Sequence, residues 1–246
     1  MNLKDLLERS DYRCVQGDVD TEISSLVYDS RKIEEGSVFV CISGAAFDGH
    51  EFAGQAAEKG AAAVVVEKEV EVPEGITVIR VEDTRLALAE MSAAYFGYPA
   101  EKLTTIGITG TKGKTTITYM IRQVLEHAGQ KTGLIGTIET IIGEERIPSV
   151  NTTPESYVVQ ESFRKMVDAG CRNVVMEVSS QGLMLHRVSG FTFDYGMFTN
   201  LAEDHIGENE HKDMDDYIHC KSLLFQQCRQ GIVNGDDDYV ERIIKD

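Results

Sequence analysis

Ten residues, GITGTKGKTT at 107–116, constrain this chain more than any other stretch. The apolar, β-branched run at 103–109 predicts a buried strand, and TITYMIRQVLEHAG after it has the apolar spacing of an amphipathic helix. A glycine-rich turn between strand and helix aims backbone N–H groups and the positive end of the helix dipole at one spot. A polyphosphate binds there with little help from side chains. Lys114 adds a point charge for the outer phosphates, and the Thr115 hydroxyl offers a ligand for Mg²⁺. The spacing departs from the standard G-x-x-x-x-G-K-[ST] loop, whose first glycine would fall at Ile108. Here the glycines are Gly107 and Gly110, a shorter G-T-x-G-K-T loop.

A chain of 246 residues accommodates one large or two modest domains, and with 42% hydrophobic residues and four prolines it has the material for a real core. Acidic residues outnumber basic ones 41 to 24, a net charge of −17. That balance excludes a sequence-independent nucleic-acid binder, whose affinity rests on a basic footprint. It does not exclude a small anion, because a local nest of N–H groups and a few cations outweighs a field screened beyond about 8–10 Å. The N-terminal MNLKDLLERS has no apolar h-region and no stretch reaches membrane-spanning length, so neither secretion nor membrane insertion is expected. The five cysteines, Cys14, Cys41, Cys171, Cys220 and Cys228, form no C-x-x-C pair and predict buried thiols in a reducing cytoplasm.

Residues 1–100 read as a small α/β domain. LKDLLER is a short helix, EISSLVYDS an alternating strand, SVFVCI a buried strand and EFAGQAAEKG a helix ending at Gly60. AAAVVVE and ITVIRV are further strands, and DTRLALAEMSAAYFG is a helix closed by Gly97 and Pro99. Strands alternating with helices predict a mostly parallel sheet with covered faces. YDSR (28–31) and SGAAFDGHEF (43–52) both follow strands, where ligand loops gather; equally, Asp-Ser is an ordinary turn or cap and Asp-Gly a tight turn. The segment GYPAEK, 97–102, is the expected domain boundary.

Residues 101–246 read as a second α/β domain, which begins with the phosphate loop. KTGLIGT is its next strand, and TIETIIGEERIPSV a hairpin turning at Gly143-Glu144. NTTPE opens a helix running to Ala169, and Asn151, Thr152 and Thr153 either cap that helix, the favoured reading on spacing, or hold a second anion. CRNVVMEVSSQG is a buried strand that delivers Glu177, Ser179 and Ser180 at its carboxyl end, where Glu177 is placed to bind Mg²⁺. FDYGMFTNLAEDHIG repeats the pattern and delivers Asn200, Asp204 and His205; His205 suits a satisfied surface role as well as a metal or phosphate role. In the helical MDDYIHCKSLLFQQC, Lys221 lies on an otherwise apolar face and must snorkel, be paired or be modified. GIVNGDD starts another strand and YVERIIKD a helix. The chain is expected to stop while its second domain is still adding strands.

GITGTKGKTT, NTTPE, MEVSSQGL followed by His186-Arg187, FTNLAEDHI and YIHCKSLLF together resemble the Mur ligase family. YDSR and GAAFDGHEF resemble that family's UDP-sugar-binding end, and NTTPE with EVSSQGL are more characteristic of its tripeptide-adding than of its dipeptide-adding members. The resemblance implies an N-terminal UDP-sugar-binding domain at 1–100 and an incomplete central ATPase domain at 101–246. It implies an ATP-dependent amide ligase of peptidoglycan precursor synthesis. ATP phosphorylates the D-Glu carboxylate of UDP-MurNAc-L-Ala-D-Glu, and the amine of L-lysine or meso-diaminopimelate then displaces phosphate.

Residue by residue, the resemblance places Ser30, with neighbours in 43–50, on the uridine diphosphate. It places Gly110, Thr111, Lys112, Gly113, Lys114, Thr115 and Thr116 around ATP, and Asn151, Thr152, Thr153, Ser179 and Arg187 on the dipeptide substrate. Mg²⁺ would be held by Thr115, Glu177, His205 and a carbamylated Lys221; Lys114, Glu177, His205 and Lys221 form the catalytic set. Leu185, where relatives can carry a polar substrate contact, and GENEHKD after His205 depart from the family pattern. Family members continue into a third domain that binds the incoming amino acid. The implied partners are small molecules only, bound by a cytoplasmic monomer. The alternatives are a truncated ligase that binds nucleotide or UDP-sugar without turnover, and another ligase of this type, dipeptide-adding or folylpolyglutamate-like.

Overall fold

The computed structural model describes residues 1–44, 47–204, 206–207 and 211–245. The chain divides into two compact units, Met1–Tyr95 and Phe96–Asp246. Both are α/β units built on parallel-dominated sheets. Among the described residues no helix is long and apolar enough to cross a membrane.

The first unit runs α1 (Leu3–Leu6), β1 (Arg13–Gln16), β2 (Leu26–Val27), β3 (Val38–Val40), α2 (Ala53–Glu58), β4 (Ala63–Val66), β5 (Thr77–Arg80) and α3 (Thr84–Tyr95). The sheet order is β1-β5-β4-β3-β2, parallel from β2 to β5 and antiparallel between β1 and β5. Every residue of β3 and β4 is buried, the continuous apolar run of a parallel strand covered on both faces. Two expectations need correction. In EISSLVYDS only Leu26–Val27 join the sheet and Glu22 forms a lone bridge to Asn2, because the Ser24 hydroxyl donates to the Glu35 carbonyl and Asp29 caps a 3₁₀ turn at Ser30–Lys32, which bends the chain out of the sheet. β1 had no reading as a strand at all: its residues RCVQ alternate exposed and half-buried at a sheet edge, so they lack the apolar pattern that marks a strand.

The second unit runs β6 (Thr104–Thr109), α4 (Lys114–His127), β7 (Thr132–Ile135), β8 (Glu139–Ile142), β9 (Glu145–Pro148), α5 (Ser156–Asp168), β10 (Asn173–Glu177), α6 (Ser180–Met184), β11 (Phe193–Phe198), α7 (Met214–Gln226), β12 (Cys228–Val233) and α8 (Val240–Ile243). Its sheet order is β12-β11-β6-β10-β7-β8-β9, with the β7–β8 and β8–β9 pairings antiparallel and the rest parallel. The β8–β9 hairpin turns at Gly143 (φ +61°), as its sequence predicts. Val159, Phe163 and Met166 of α5 pack with Val174 and Met176 of β10 and Phe193 of β11 in the core.

This strand order positions the site. α4 carries the chain from β6 to β7, and β10 lies between those two strands. The register sets Glu177 beside Ile108 and Phe198 beside Thr109, so the carboxyl ends of β10, β6 and β11 lie level. Ligands of such sheets bind in the crevice outside those ends.

Candidate functional site

The loop after β6 has a conformation that only glycine adopts readily. Gly110 has φ +149° and Gly113, the N-cap of α4, has φ +84° with no side chain on the cap. A Cβ on Gly110 would collide with the Thr199 side chain. Asn200, beyond β11, grips the loop from the side: its carbonyl accepts from the Thr111 N–H (2.9 Å), its Oδ1 from the Lys112 N–H (3.0 Å), and its Nδ2 donates to the Lys112 carbonyl (3.0 Å). Thr111 is buried, its hydroxyl 3.2 Å from the Tyr217 hydroxyl and accepting from the Ala202 N–H at 3.0 Å. Lys114 folds back over the loop, and its Nζ donates to the Gly110 (2.7 Å) and Thr111 (3.2 Å) carbonyls. Burial lowers the Lys114 pKa, opposed by the charges of Glu177 and Asp204. Lys112 and Thr116 are exposed at the rim.

Glu177, 1% exposed at the end of β10, is the carboxylate of the crevice. It accepts from the hydroxyls of Thr115 (2.9 Å) and Thr137 (3.1 Å) and from the Thr137 N–H (2.9 Å). The chain passes so near at Gly136 that a Cβ there would run into the carboxylate. Thr137 had not been singled out in the sequence. Its signal was the end of the KTGLIGT strand, but only the β7–β10 pairing brings it to Glu177.

Residues 151–153 form the next wall, and here the favoured capping role is overturned. The N-cap of α5 is Glu155, with no side-chain cap. The Thr153 hydroxyl instead donates to the Glu177 carbonyl (2.9 Å) and accepts from the Ser179 N–H (3.0 Å), stitching this loop to the end of β10. The Thr152 hydroxyl lies 3.0 Å from that of Thr137. Arg187 donates to the Thr153 carbonyl (3.2 Å) and pairs with Glu155 at 2.8 Å. Ser179 caps α6, accepting from the Gly182 N–H.

Lys221 does not snorkel. It is 1% exposed, 4.4 Å from the centre of the Tyr217 ring, and its Nζ donates to the Gly110 carbonyl at 3.1 Å. Burial, reinforced by the charge of Lys114, lowers its pKa to about 7. One pocket is lined by Lys114, Lys221, Asn151, Thr152, Thr153, Ser179 and Arg187, together with Ser180, Gln181 and Tyr217. The structure therefore brings together both lysines and five polar residues that the sequence singled out separately. His205 lies outside the described residues, as does Glu208-Asn209-Glu210 of the GENEHKD stretch.

In the first unit, Ser30 opens the 3₁₀ turn and its carbonyl accepts from Lys59 Nζ at 2.8 Å. Asp29 is engaged by Arg31 through backbone and guanidinium, a contact that lowers its pKa to about 2. Ala45 and Ala46 of SGAAFDGHEF lie outside the described residues. The described part is held from within: Asp48 accepts from the His50 N–H (3.0 Å), lies 2.6 Å from His50 Nδ1 and pairs with Lys68. His50 Nε2 accepts from the Glu67 N–H (3.0 Å), which leaves the imidazole proton on Nδ1 facing Asp48. Lys68, with the two His50 hydrogen bonds, holds the Asp48 carboxyl well below the usual carboxylate range.

The family model described as Mur ligase middle domain matches residues 108–246, and the one described as Mur ligase family, catalytic domain, matches residues 22–96. Over 246 residues the chain is 49% identical to UDP-N-acetylmuramoyl-L-alanyl-D-glutamate--2,6-diaminopimelate ligase of Clostridium perfringens, covering 100% of this chain and 50% of that protein. Ligase 1 of the same name from Clostridium acetobutylicum is 46% identical over 246 residues, 100% of this chain and 51% of its own. The chain thus spans about half the length of the curated relatives it matches. A solved structure of a UDP-N-acetylmuramoyl-L-alanyl-D-glutamate--2,6-diaminopimelate ligase has the same fold across 100% of this chain and 49% of its own, with a TM-score of 0.84 at 24% identity. MurF from Acinetobacter baumannii matches 98% of this chain and 50% of its own, with a TM-score of 0.65 at 22% identity.

Proposed function

Because the chain belongs to the Mur ligase family, we propose that it serves ATP-dependent amide formation in peptidoglycan precursor synthesis, joining 2,6-diaminopimelate to UDP-MurNAc-L-Ala-D-Glu in the cytoplasm as a monomer. The names of its relatives favour diaminopimelate over lysine as the amine. The observation that carries this reading is the single pocket in which Lys114 and Lys221 face Asn151, Thr152, Thr153, Ser179 and Arg187. The charges of Lys114 and Arg187 meet a polar wall, as a site requires when it must hold a polyphosphate against a carboxylate-bearing substrate.

The residues divide the work. N–H groups of the loop at 110–116 and the start of α4 receive the ATP phosphates, and Lys114, now bonded to loop carbonyls, turns its ammonium to the outer ones. Arg187 and the polar residues 151–153 and 179 orient the D-Glu carboxylate as the nucleophile toward the terminal phosphate. A carboxylate oxygen forms the new O–P bond and ADP leaves; the amine then attacks the acyl carbon, phosphate departs with the C–O bond, and the amine gives up a proton. Mg²⁺ fits the corner at Glu177, because Thr115, Thr137 and Glu177 offer oxygen donors only, the set a hard cation takes. The family resemblance implies His205 and a carbamylated Lys221 as further ligands of that ion. Bound there, Mg²⁺ would neutralise charge on the phosphates. Lys221 supports its part: with a pKa near 7 its amine is substantially unprotonated at neutral pH, the state that adds CO₂ to form a carbamate. In the first unit, Ser30 and residues 43–50 take the uridine diphosphate.

A thermal-shift and calorimetry series tests the reading. Mg-ATP and UDP-MurNAc-L-Ala-D-Glu should each stabilise the chain, by about 2.7 kcal/mol when the ligand is at 100 times its Kd. Stabilisation by tetrahydrofolate and not by the UDP-linked dipeptide would overturn it.

A further inference from the structure

His211, Asp216 and Cys220 belong neither to the metal ligands that the family resemblance implies nor to the residues that line the pocket at Lys114 and Lys221. We infer that these three side chains form a second metal site, for a soft divalent cation of the zinc class. One ligand atom from each lies within 4.8 Å of the other two. A tetrahedral zinc ion holds nitrogen, oxygen and sulfur donors at about 2.0–2.3 Å, so side-chain rotation has only about an ångström to close. Asp216 and Cys220 are four residues apart on α7 and therefore share one helix face, and His211 enters from just before that helix.

The surroundings of His211 prepare it as a ligand. The residue is 0% exposed, its ring centroid lies 4.9 Å from that of Tyr217, Nδ1 is 3.0 Å from Asp216 Oδ2 and Nε2 is 2.7 Å from Ser180 Oγ. Without metal, Nδ1 carries the proton toward the Asp216 carboxylate, and Nε2 accepts from the Ser180 hydroxyl. With metal on Nδ1, the metal bond replaces the hydrogen bond to Asp216, the proton moves to Nε2 and Ser180 turns from donor to acceptor, so the contact with Ser180 is kept. The outer contact that orients a metal-bound imidazole is thus already in place.

Charge balance points the same way. A neutral Cys220 thiol gives up one proton when it binds a divalent ion. A divalent ion that displaces this one proton meets one thiolate, one carboxylate and a neutral imidazole, and the loaded site is electrically neutral. Neutrality suits a position where two of the three ligands are buried. The mixed nitrogen, oxygen and sulfur set favours zinc-class ions, whereas Mg²⁺ prefers oxygen alone.

The test is a titration of the purified chain with CoCl₂, read by absorbance, and it depends neither on ligase activity nor on nucleotide binding. One equivalent should produce the d–d bands of tetrahedral cobalt and a near-ultraviolet thiolate-to-cobalt band, with release of one proton. Zn²⁺ should abolish both, and excess Mg²⁺ neither. Cys220→Ser should remove the thiolate band, and Ser180→Ala should weaken binding about tenfold. The half-exposed Asp216→Asn serves as a second probe of lower affinity should Cys220→Ser lose its native circular dichroism. Absence of the thiolate band in the parent chain, its survival in Cys220→Ser, full affinity in Asp216→Asn, or displacement by Mg²⁺ would each overturn the site.

Discussion

The motif loops of the two units spend their polar groups in opposite ways. In Met1–Tyr95, Asp29 engages Arg31, Asp48 engages Lys68 and His50, and His50 uses its second nitrogen on the Glu67 N–H. In Phe96–Asp246, uncharged side chains do the holding, through the clamp of Asn200 on the loop and the Thr153 stitch, and Lys114, Lys221, Thr152 and Arg187 line a shared pocket. Both sets of loops follow parallel strands, and both carry charged residues beside glycines. A loop that satisfies its own charges is built for shape; one that holds Lys114 against carbonyl oxygens keeps that cation available for an anion.

The largest expected effect breaks the second half of that comparison. Lys114→Ala should weaken Mg-ATP binding about 100-fold, the worth of a charge-assisted contact of about 2–3 kcal/mol, and should leave the native circular dichroism unchanged. Equal affinity in calorimetry would remove Lys114 from the phosphate site.

Next in size is the pH dependence contributed by Lys221. Its pKa is near 7 in the folded chain against an ordinary 10.5, so between those values the unfolded chain binds more protons and stability rises with pH. The penalty for burying the charge is present in full below pH 7. In carbonate-free buffer, urea unfolding from pH 7.5 to 9.5 should show a gain of up to about 1.4 kcal/mol per pH unit that Lys221→Met lacks. In bicarbonate, intact mass should show one added carboxyl group, absent from Lys221→Met. A flat profile together with an unmodified mass would mean that Lys221 only fills space.

Asp48 tests the first unit. Asp48→Ala should cost about 1–2 kcal/mol, the loss of a cap and of the partner of a buried histidine, and leave Mg-ATP affinity unchanged. Because its pKa is lowered from 3.8, the contribution is present above that value and is lost as pH falls through the lower folded one. Urea titrations at pH 7 and pH 3 should therefore differ more for wild type than for Asp48→Ala.

The smallest effect sharpens the contrast. Ser30 accepts from Lys59 through its backbone carbonyl, so Ser30→Ala should shift stability by less than about 0.5 kcal/mol and weaken UDP binding a few-fold. A large loss of stability would place Ser30 among the self-satisfied loop residues with Asp48.

What the sequence determined by itself was local. The strand, glycine loop and helix at 103–127, the hairpin turning at Gly143 and the apolar runs of β4 and β10 were all legible, because backbone conformation and periodicity over a few residues specify them. The motifs named most of the pocket without saying that it was one pocket. Whether Thr153 would cap a helix or reach Glu177, whether Lys221 would snorkel, and whether His50 had anything left for a ligand were decided by tertiary structure. So were the places of Thr137 and Asn200. Each depends on the parallel register that levels β6, β10 and β11, and on contacts that span 62 residues from Thr115 to Glu177 and 111 from Lys221 to Gly110. No spacing along the chain encodes such a meeting; burial within the folded sheet and helices creates it, and the same burial removes the charge of Lys221 and brings His211 between Asp216 and Ser180.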